Sequence, residues 1–127
     1  MILLFMYIIF LICNIFRILE LVLKKKGTLI VDLQNDDQFA AIHLSVLNKH
    51  PKCLSILLNY KADINIRTAS LQTPLHISVT EKDFECIKIL VENRAELNLM
   101  DNNGNVPLHH AVQIYNLNKI KVKYIFF

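Results

Sequence analysis

The stretch Gln72-Thr73-Pro74-Leu75-His76 decides the fold of this chain. A threonine hydroxyl accepts well from the unpaired amides of a first helical turn, so Thr73 is a candidate helix cap. Pro74 then suits the first helical position, where its missing N–H costs nothing and its fixed φ fits the helix. The stretch therefore predicts a helix that begins at Pro74.

The same pattern recurs at a spacing of 33 residues. Val106-Pro107-Leu108-His109 repeats it downstream, and Ala40-Ala41-Ile42-His43 matches it upstream. Other positions keep the same spacing, namely Cys53 with Cys86, Leu57 with Leu90, Ala62 with Ala95 and Asn65 with Asn98. A fixed period of this length indicates stacked helical repeats. The structural repeat motif consists of His43, Thr73, Pro74, Leu75, His76, Pro107, Leu108 and His109.

With these motifs, the chain resembles the ankyrin repeat over about Asp36 to Val112. The resemblance implies an all-α solenoid of stacked helix-turn-helix units, with short β-turn or hairpin fingers between units. We expect repeats at about 36–68 and 69–101, and a truncated one at 102–127. The first should have helices near Ala40 and over about 51–59. The second should have a short helix through Thr80 and a second helix that carries Phe84, Ile87, Ile89, Leu90 and Val91.

A narrower resemblance concerns Ile30-Val31-Asp32 and the residues that follow it, Asp36-Asp37 and Phe39 to Leu44. This arrangement is similar to the late ankyrin repeats of Mind bomb-type E3 ubiquitin ligases. Those ligases carry zinc-binding RING modules, and this chain has only Cys13, Cys53 and Cys86, with no paired C-x-x-C. It cannot build a RING, so the resemblance implies a fragment without the catalytic module.

Residues 1–23 form a strongly apolar run that precedes a basic linker at 24–35. Three interpretations are open: a signal-anchor helix, the buried second helix of an incomplete earlier repeat, or a segment outside the functional protein. A membrane span needs about 20 apolar residues, and extending the run beyond Phe16 brings in Arg17 and Glu20. We therefore predict that Met1 to Leu23 is not a transmembrane anchor.

The charge and the cysteine content of the chain indicate which partners and which cellular compartment to expect. The net charge is +3, and the basic residues are divided between Lys24–Lys26 and the C-terminal lysines. That distribution argues against nucleic-acid binding. Cys53 and Cys86 are expected to be buried thiols, because stacked helices lie too far apart for a disulfide. This suits a cytoplasmic protein, a monomer or part of a longer repeat array. The alternative is a membrane-anchored adaptor with its repeats on the cytoplasmic side.

The chain departs from the ankyrin pattern where that pattern has glycine. The resemblance places glycine before the T-P-L-H unit, between the two helices and after the second helix. Only Gly104 is kept, and the other positions hold Gln38, Leu71, Lys49, Lys82, Tyr115, Lys61 and Arg94. Side chains forced toward positive φ cost on the order of 1 kcal/mol each. The sequence therefore predicts a weakly stable array.

No motif for chemistry stands out. We interpret the three periodic histidines as structural, and we expect no catalytic residue, no metal and no cofactor. The chain has no G-x-S-x-G elbow and only two glycines, too few for a phosphate-binding loop. Asp36, Asp37, Asp63 and Glu81 are spread over turns and are expected to be solvated.

What remains is a non-catalytic protein–protein interaction module, a scaffold that acts through its surface. In repeat stacks the finger tips and the outer side of the first helices form a concave face. Its predicted protein-binding residues are Asp36, Asp37, Phe39, Leu47, Arg67, Ser70, Gln72, Thr80, Glu81, Met100, Asn102, Asn103, Asn105 and Gln113. Phe39 and Met100, exposed among polar neighbours, are the predicted anchors.

Overall fold

The computed structural model describes residues 4, 20, 21, 23–25 and 30–115. Over residues 30–115 five helices follow one another: α1 Ala41–Leu47, α2 Pro51–Asn59, α3 Pro74–Thr80, α4 Phe84–Glu92 and α5 Pro107–Tyr115. The described residues contain no β-strand. The all-α prediction is confirmed.

The helices stack in two layers. First helices α1, α3 and α5 contact one another in that order, and second helices α2 and α4 pack side by side behind them. Leu54, Leu57, Ile87 and Leu90 are at most 2 % exposed and join the layers into one core. Phe84 departs from the predicted inward stripe, because it opens α4 and its side chain is 50 % exposed.

The T-P-L-H stretch begins its helix as the sequence predicts. Thr73 caps α3, and the His76 amide donates to its Oγ1 over 3.4 Å, while Pro74 takes the first helical position. At the equivalent place in α1, Ala40 has no capping side chain, and the His43 ring alone accepts the Ala40 amide. The histidine therefore secures the first turn even where the threonine is missing.

The predicted left-handed positions are confirmed at six residues that carry side chains. Positive φ values between 56° and 66° occur at Gln38, Lys49, Lys61, Leu71, Lys82 and Arg94, and Gly104 has φ 78°. Tyr115 differs, because α5 continues through it instead of ending two residues earlier as α1 and α3 do.

Restoring glycine at Lys61 and Arg94 should stabilise the array. Lys61→Gly and Arg94→Gly should each raise the free energy of unfolding by about 1 kcal/mol, because glycine removes the left-handed strain and its greater freedom when unfolded offsets part of the gain. Thermal melts should show midpoints higher by roughly 4–8 °C for each change.

The matched control is Lys88→Gly, which removes an exposed lysine from the interior of α4 and should lower the midpoint by a similar amount. Midpoints that fall for all three variants would contradict the strain account.

Helical residues precede the first complete repeat. Residues 20, 21 and 23–25 are helical, so the helix includes Lys24 and Lys25, which we assigned to the linker. Leu23 is fully buried in the core, and the Tyr60 hydroxyl donates to the Glu20 carbonyl over 3.4 Å. These contacts place the segment beside α2, as the second helix of an earlier unit would lie.

Most of the apolar run 1–23 lies outside the described residues, and with it most of the prediction about membrane anchoring. In the part of the chain that the structure does describe, every helix is too short to cross a bilayer.

The tripeptide Ile30-Val31-Asp32 follows the helical residues 20, 21 and 23–25 in the chain. Val31 is 1 % exposed, and Asp32 Oδ1 accepts the Asp63 amide over 2.9 Å. One repeat later, Asn65 Oδ1 accepts the Glu96 amide over 2.8 Å. The tripeptide thus makes a contact that recurs one repeat later in the same chain.

The two periodic cysteines are buried as predicted. Cys53 and Cys86 are both 0 % exposed, and no disulfide joins these two described residues. Burial raises the pKa of the Cys86 thiol, and hydrogen bonding to the Asp83 carboxylate raises it further. Both effects keep the thiol protonated and unreactive.

Labelling with a thiol reagent should be slow for both cysteines in the native protein. If the array must open at a cost of about 3 kcal/mol, labelling should be roughly a hundredfold slower than in urea. Peptide mapping by mass spectrometry separates these two sites from Cys13, which lies outside the described residues. Fast native labelling of both would contradict the inward orientation of α2 and α4.

Candidate recognition surface

Three fingertips, residues 35–38, 68–71 and 101–104, project between the helical units. Each closes with a hydrogen bond from its fourth amide to its first carbonyl: Gln38 to Asn35 over 2.9 Å, Leu71 to Thr68 over 2.8 Å and Gly104 to Asp101 over 3.0 Å. The fourth residue has positive φ in every case. These are the tight turns that the repeat pattern predicts.

Polar side chains at the first fingertip position stiffen each turn. Asn35 Oδ1 accepts the amides of Asp37 and Phe39, at 3.1 and 2.8 Å. Asp101 Oδ1 likewise accepts the amides of Asn103 and Asn105, both at 2.9 Å. Asparagine and aspartate favour such turns because their side chains bond the backbone two residues ahead.

Neighbouring fingertips are joined through their backbones. The Ala69 amide donates to the Asp37 carbonyl, and the Asn102 amide donates to the Ser70 carbonyl, each over 3.1 Å. The fingertips therefore form one continuous row rather than three separate loops. These bonds use only backbone atoms, so they leave the side chains of Asp37, Ser70 and Asn102 available for other contacts.

A shallow groove opens between α1 and α3 on the fingertip side. Its cavity of about 110 Å³ is lined by Phe39, Leu47, Gln72, Ile77, Thr80 and Glu81. Leu47 is 39 % exposed, whereas Phe39 is half-buried, because its ring packs edge-on against His43 with centroids 5.5 Å apart. Phe39 is thus a wall of the groove and not the exposed anchor we predicted.

All fourteen predicted binding residues are exposed or half-buried. Five of them line the groove together, and the predicted residues on the fingertips lie along the fingertip row. Arg67 is committed to the backbone: its guanidinium donates to the carbonyls of Leu71 and Met100. Met100 is 56 % exposed, as predicted for an anchor. The binding roles of these residues stay a prediction.

A second cavity lies in the other layer. It has a volume of about 320 Å³ and is lined by Pro51, Lys52, Ser55, Ile56, Glu85 and Ile89, between α2 and α4. It is larger than the groove, but no fingertip borders it. The two cavities lie in opposite helix layers, so variants can distinguish them.

The periodic histidines hold the fingertips against the helices. The Ala40 amide donates to His43 Nδ1 over 2.9 Å, and His43 Nε2 lies 2.8 Å from the Ile66 carbonyl. Because a carbonyl only accepts, Nε2 must carry the proton. His76 Nδ1 likewise accepts the Thr73 amide at 3.1 Å, but its Nε2 lies 2.9 Å from the Asn105 carbonyl, whereas Leu99 is the residue one repeat after Ile66.

Burial keeps these two rings neutral. It lowers the pKa of His43 to about 4, and it lowers the pKa of His76 as well. In the last unit, the Val106 amide donates to His109 Nδ1 over 3.2 Å, but His109 is exposed. The structural interpretation of the three histidines stays a prediction, which the bonds of His43 and His76 support and the exposure of His109 weakens in the last unit.

Asp101 and His110 form a polar cluster with His76 that the sequence did not reveal. His110 Nε2 lies 2.7 Å from Asp101 Oδ2, and the His76 and His110 rings meet edge-on at 5.6 Å. Burial alone would raise the pKa of Asp101, but hydrogen bonds from Asn105, His110 and Asn103 outweigh it and hold that pKa below its usual value.

The three side chains of this cluster offer ligand atoms within 4.8 Å of one another. However, His76 Nδ1 accepts the Thr73 amide and its Nε2 donates to the Asn105 carbonyl, so both ring nitrogens already have protein partners. The cluster acts as a hydrogen-bonded tie between a fingertip and two first helices. The His109-His110 pair was the only sequence signal for it.

Comparison with known protein families assigns residues 37–69 to the ankyrin repeat and residues 68–122 to a family described as ankyrin repeats (3 copies). A search of curated proteins finds no significant match to the chain. The two family matches are consecutive and cover the units whose helices, fingertips and histidines are described above. Over residues 37–122 the chain therefore belongs to the ankyrin-repeat family, whose repeats form protein–protein interaction modules.

Proposed function

We propose that this chain is a scaffold that binds a protein partner through its concave face, made by the fingertip row and the first helices. The observation that supports this is the continuity of the face. Backbone hydrogen bonds join the three fingertips, and the groove between α1 and α3 opens beside them. A surface held rigid before binding loses little conformational freedom when a partner docks.

The chemistry of the face suits recognition rather than catalysis. The histidines beneath it are neutral and held by the backbone, and the Cys86 thiol lies in the other layer with a raised pKa. The side chains that face solvent are a mixture of apolar, amide and carboxylate groups. Such a mixture is typical of a protein interface with an apolar centre and a polar rim.

Two narrower functions were drawn from the sequence, a fragment of a ubiquitin ligase and a membrane-anchored adaptor. The first rests on Ile30-Val31-Asp32 and the residues from Asp36 to His50 that follow it, and Asp32 makes a contact that recurs at Asn65 in this chain. The second depends on residues 1–23, most of which lie outside the described part. The proposal is therefore limited to recognition by the concave face.

Peptide selection on the full chain tests this proposal. Peptides of 12 residues from a randomised display library should be enriched on the folded protein. Their affinity should fall about tenfold or more with Leu47→Glu, which places a carboxylate in the groove.

The control is Ser55→Arg, which fills the outer cavity and should leave the affinity within about twofold. Peptides that lose affinity with Ser55→Arg but not with Leu47→Glu would overturn the proposal. They would assign recognition to the second-helix layer instead.

A further inference from the structure

The groove has the size of a site for one side chain. Sites for small molecules usually enclose about 300–1,000 Å³. The cavity between α1 and α3 encloses about 110 Å³, and Phe39, Leu47 and Ile77 give it apolar walls. Such a cavity suits a single apolar side chain of a partner, presented by a backbone that runs across it.

The groove has a fingertip end and a far end. Phe39 precedes α1 next to the first fingertip, and Leu47 is the last residue of α1. Seven helical residues rise about 10 Å, whereas an extended chain advances roughly 3.3 Å per residue. A segment anchored midway along the groove therefore reaches the fingertip end within about two to four residues.

The charge at the fingertip end is negative. Asp36 and Asp37 are exposed, and neither takes part in a salt bridge between described residues. Arg67, the cation on the fingertip side among the described residues, donates its guanidinium hydrogens to backbone carbonyls. Glu81 adds a carboxylate on the groove itself. The fingertip end and the groove thus carry three carboxylates and one guanidinium, and that guanidinium is already hydrogen-bonded to the backbone. The net charge of the whole chain is nevertheless +3.

The far end of the groove carries charges of both signs. Lys49 and Lys82 lie in the turns that follow α1 and α3, at the end of these helices away from the fingertips. Their charges oppose that of Glu81, so the unbalanced negative charge lies beside Asp36 and Asp37. A complementary partner brings its positive charge to this end.

We infer that the partner presents an extended, cationic segment, with one apolar side chain in the groove and a lysine or arginine two to four residues away toward Asp36 and Asp37. This inference rests on the proposed function, since it specifies the partner of the same face. Affinity comes mainly from the apolar side chain, and the cation selects the partner and sets its direction.

The composition of the selected 12-residue peptides tests this inference. Peptides enriched on the full chain should contain an apolar residue with a lysine or arginine two to four positions from it. Fluorescence anisotropy should show about tenfold weaker binding to the double variant Asp36→Lys and Asp37→Lys, because two attractions become repulsions. Raising the salt concentration from about 0.05 to 0.5 M should also weaken binding, because these charges are exposed.

Glu92→Lys is the control, since it makes the charge change of one of these two substitutions at an exposed residue at the end of α4, and affinity should stay within about twofold. Circular dichroism checks that every variant is folded. Peptides that are neutral or acidic, yet lose affinity with Leu47→Glu, would overturn this inference and leave the proposed function standing. Peptides insensitive to Leu47→Glu would overturn the proposed function as well.

Discussion

Replacing His43 with alanine should lower the free energy of unfolding by about 3–4 kcal/mol. The change leaves the Ala40 amide and the Ile66 carbonyl without their partner, and each unsatisfied buried group costs about 1–3 kcal/mol. It also opens a cavity where a fully buried ring was packed. Urea unfolding at pH 7, followed by helical circular dichroism, measures the loss.

His109 provides the matched control, since it has the same position in the repeat motif and the same bond to its own first turn. Its ring is exposed, so His109→Ala should cost less than about 1 kcal/mol. His43→Gln should recover part of the loss, because glutamine at this helical position can still accept the Ala40 amide. Equal losses for His43→Ala and His109→Ala would contradict the role of burial and of the second hydrogen bond.

Acidification should destabilise the array well above the pH at which carboxylates titrate. The pKa of His43 is lowered from 6.5 to about 4, so the folded state binds fewer protons than the unfolded state. Its contribution is therefore complete above pH 6.5 and is lost as the pH falls toward 4. From pH 7 to 4.5 this histidine alone should remove about 2.5 kcal/mol, and His76 acts in the same direction.

Asp101 does not oppose this trend. Its pKa is lowered from 3.8, so its contribution is lost only at more acidic pH. Urea unfolding of the native chain and of His43→Gln at pH 7 and 4.5 isolates the histidine, because glutamine does not titrate. The variant should lose about 2.5 kcal/mol less than the native chain over this interval. The same pH dependence in both proteins would show that His43 is not buried as a neutral ring.

The repeat period made most of the fold predictable. It positioned the helix starts, the buried thiols and the left-handed residues, because each depends on local sequence and on one spacing. The helix boundaries of α2 and the capping of α3 by Thr73 were confirmed for the same reason. Where the period fails, at Tyr115, the residue lies within α5 and not in a turn that follows the helix.

Contacts between units were harder to predict. The cluster of Asp101, His110 and His76 depends on which fingertip side chain lies beneath which helix. Phe39 was predicted from register as exposed, but its ring turns toward His43. Asp32 of the Ile30-Val31-Asp32 tripeptide accepts the Asp63 amide, a contact that the tripeptide itself does not reveal. In each case the decisive contact joins residues from different units, and a spacing along one chain does not define it.

In this description His43 and His76 join α1 and α3 to backbone next to the following fingertip, at Ile66 and at Asn105, and so hold the concave face rigid. Nitrogen-15 NMR of the imidazole rings tests this most directly, because it identifies which ring nitrogen carries the proton. We expect both rings to be neutral at pH 8, above the ordinary pKa of histidine, with the proton on Nε2 and Nδ1 unprotonated. A proton on Nδ1 of either ring at this pH would contradict it, since the bonds to Ile66 and Asn105 could not form as described.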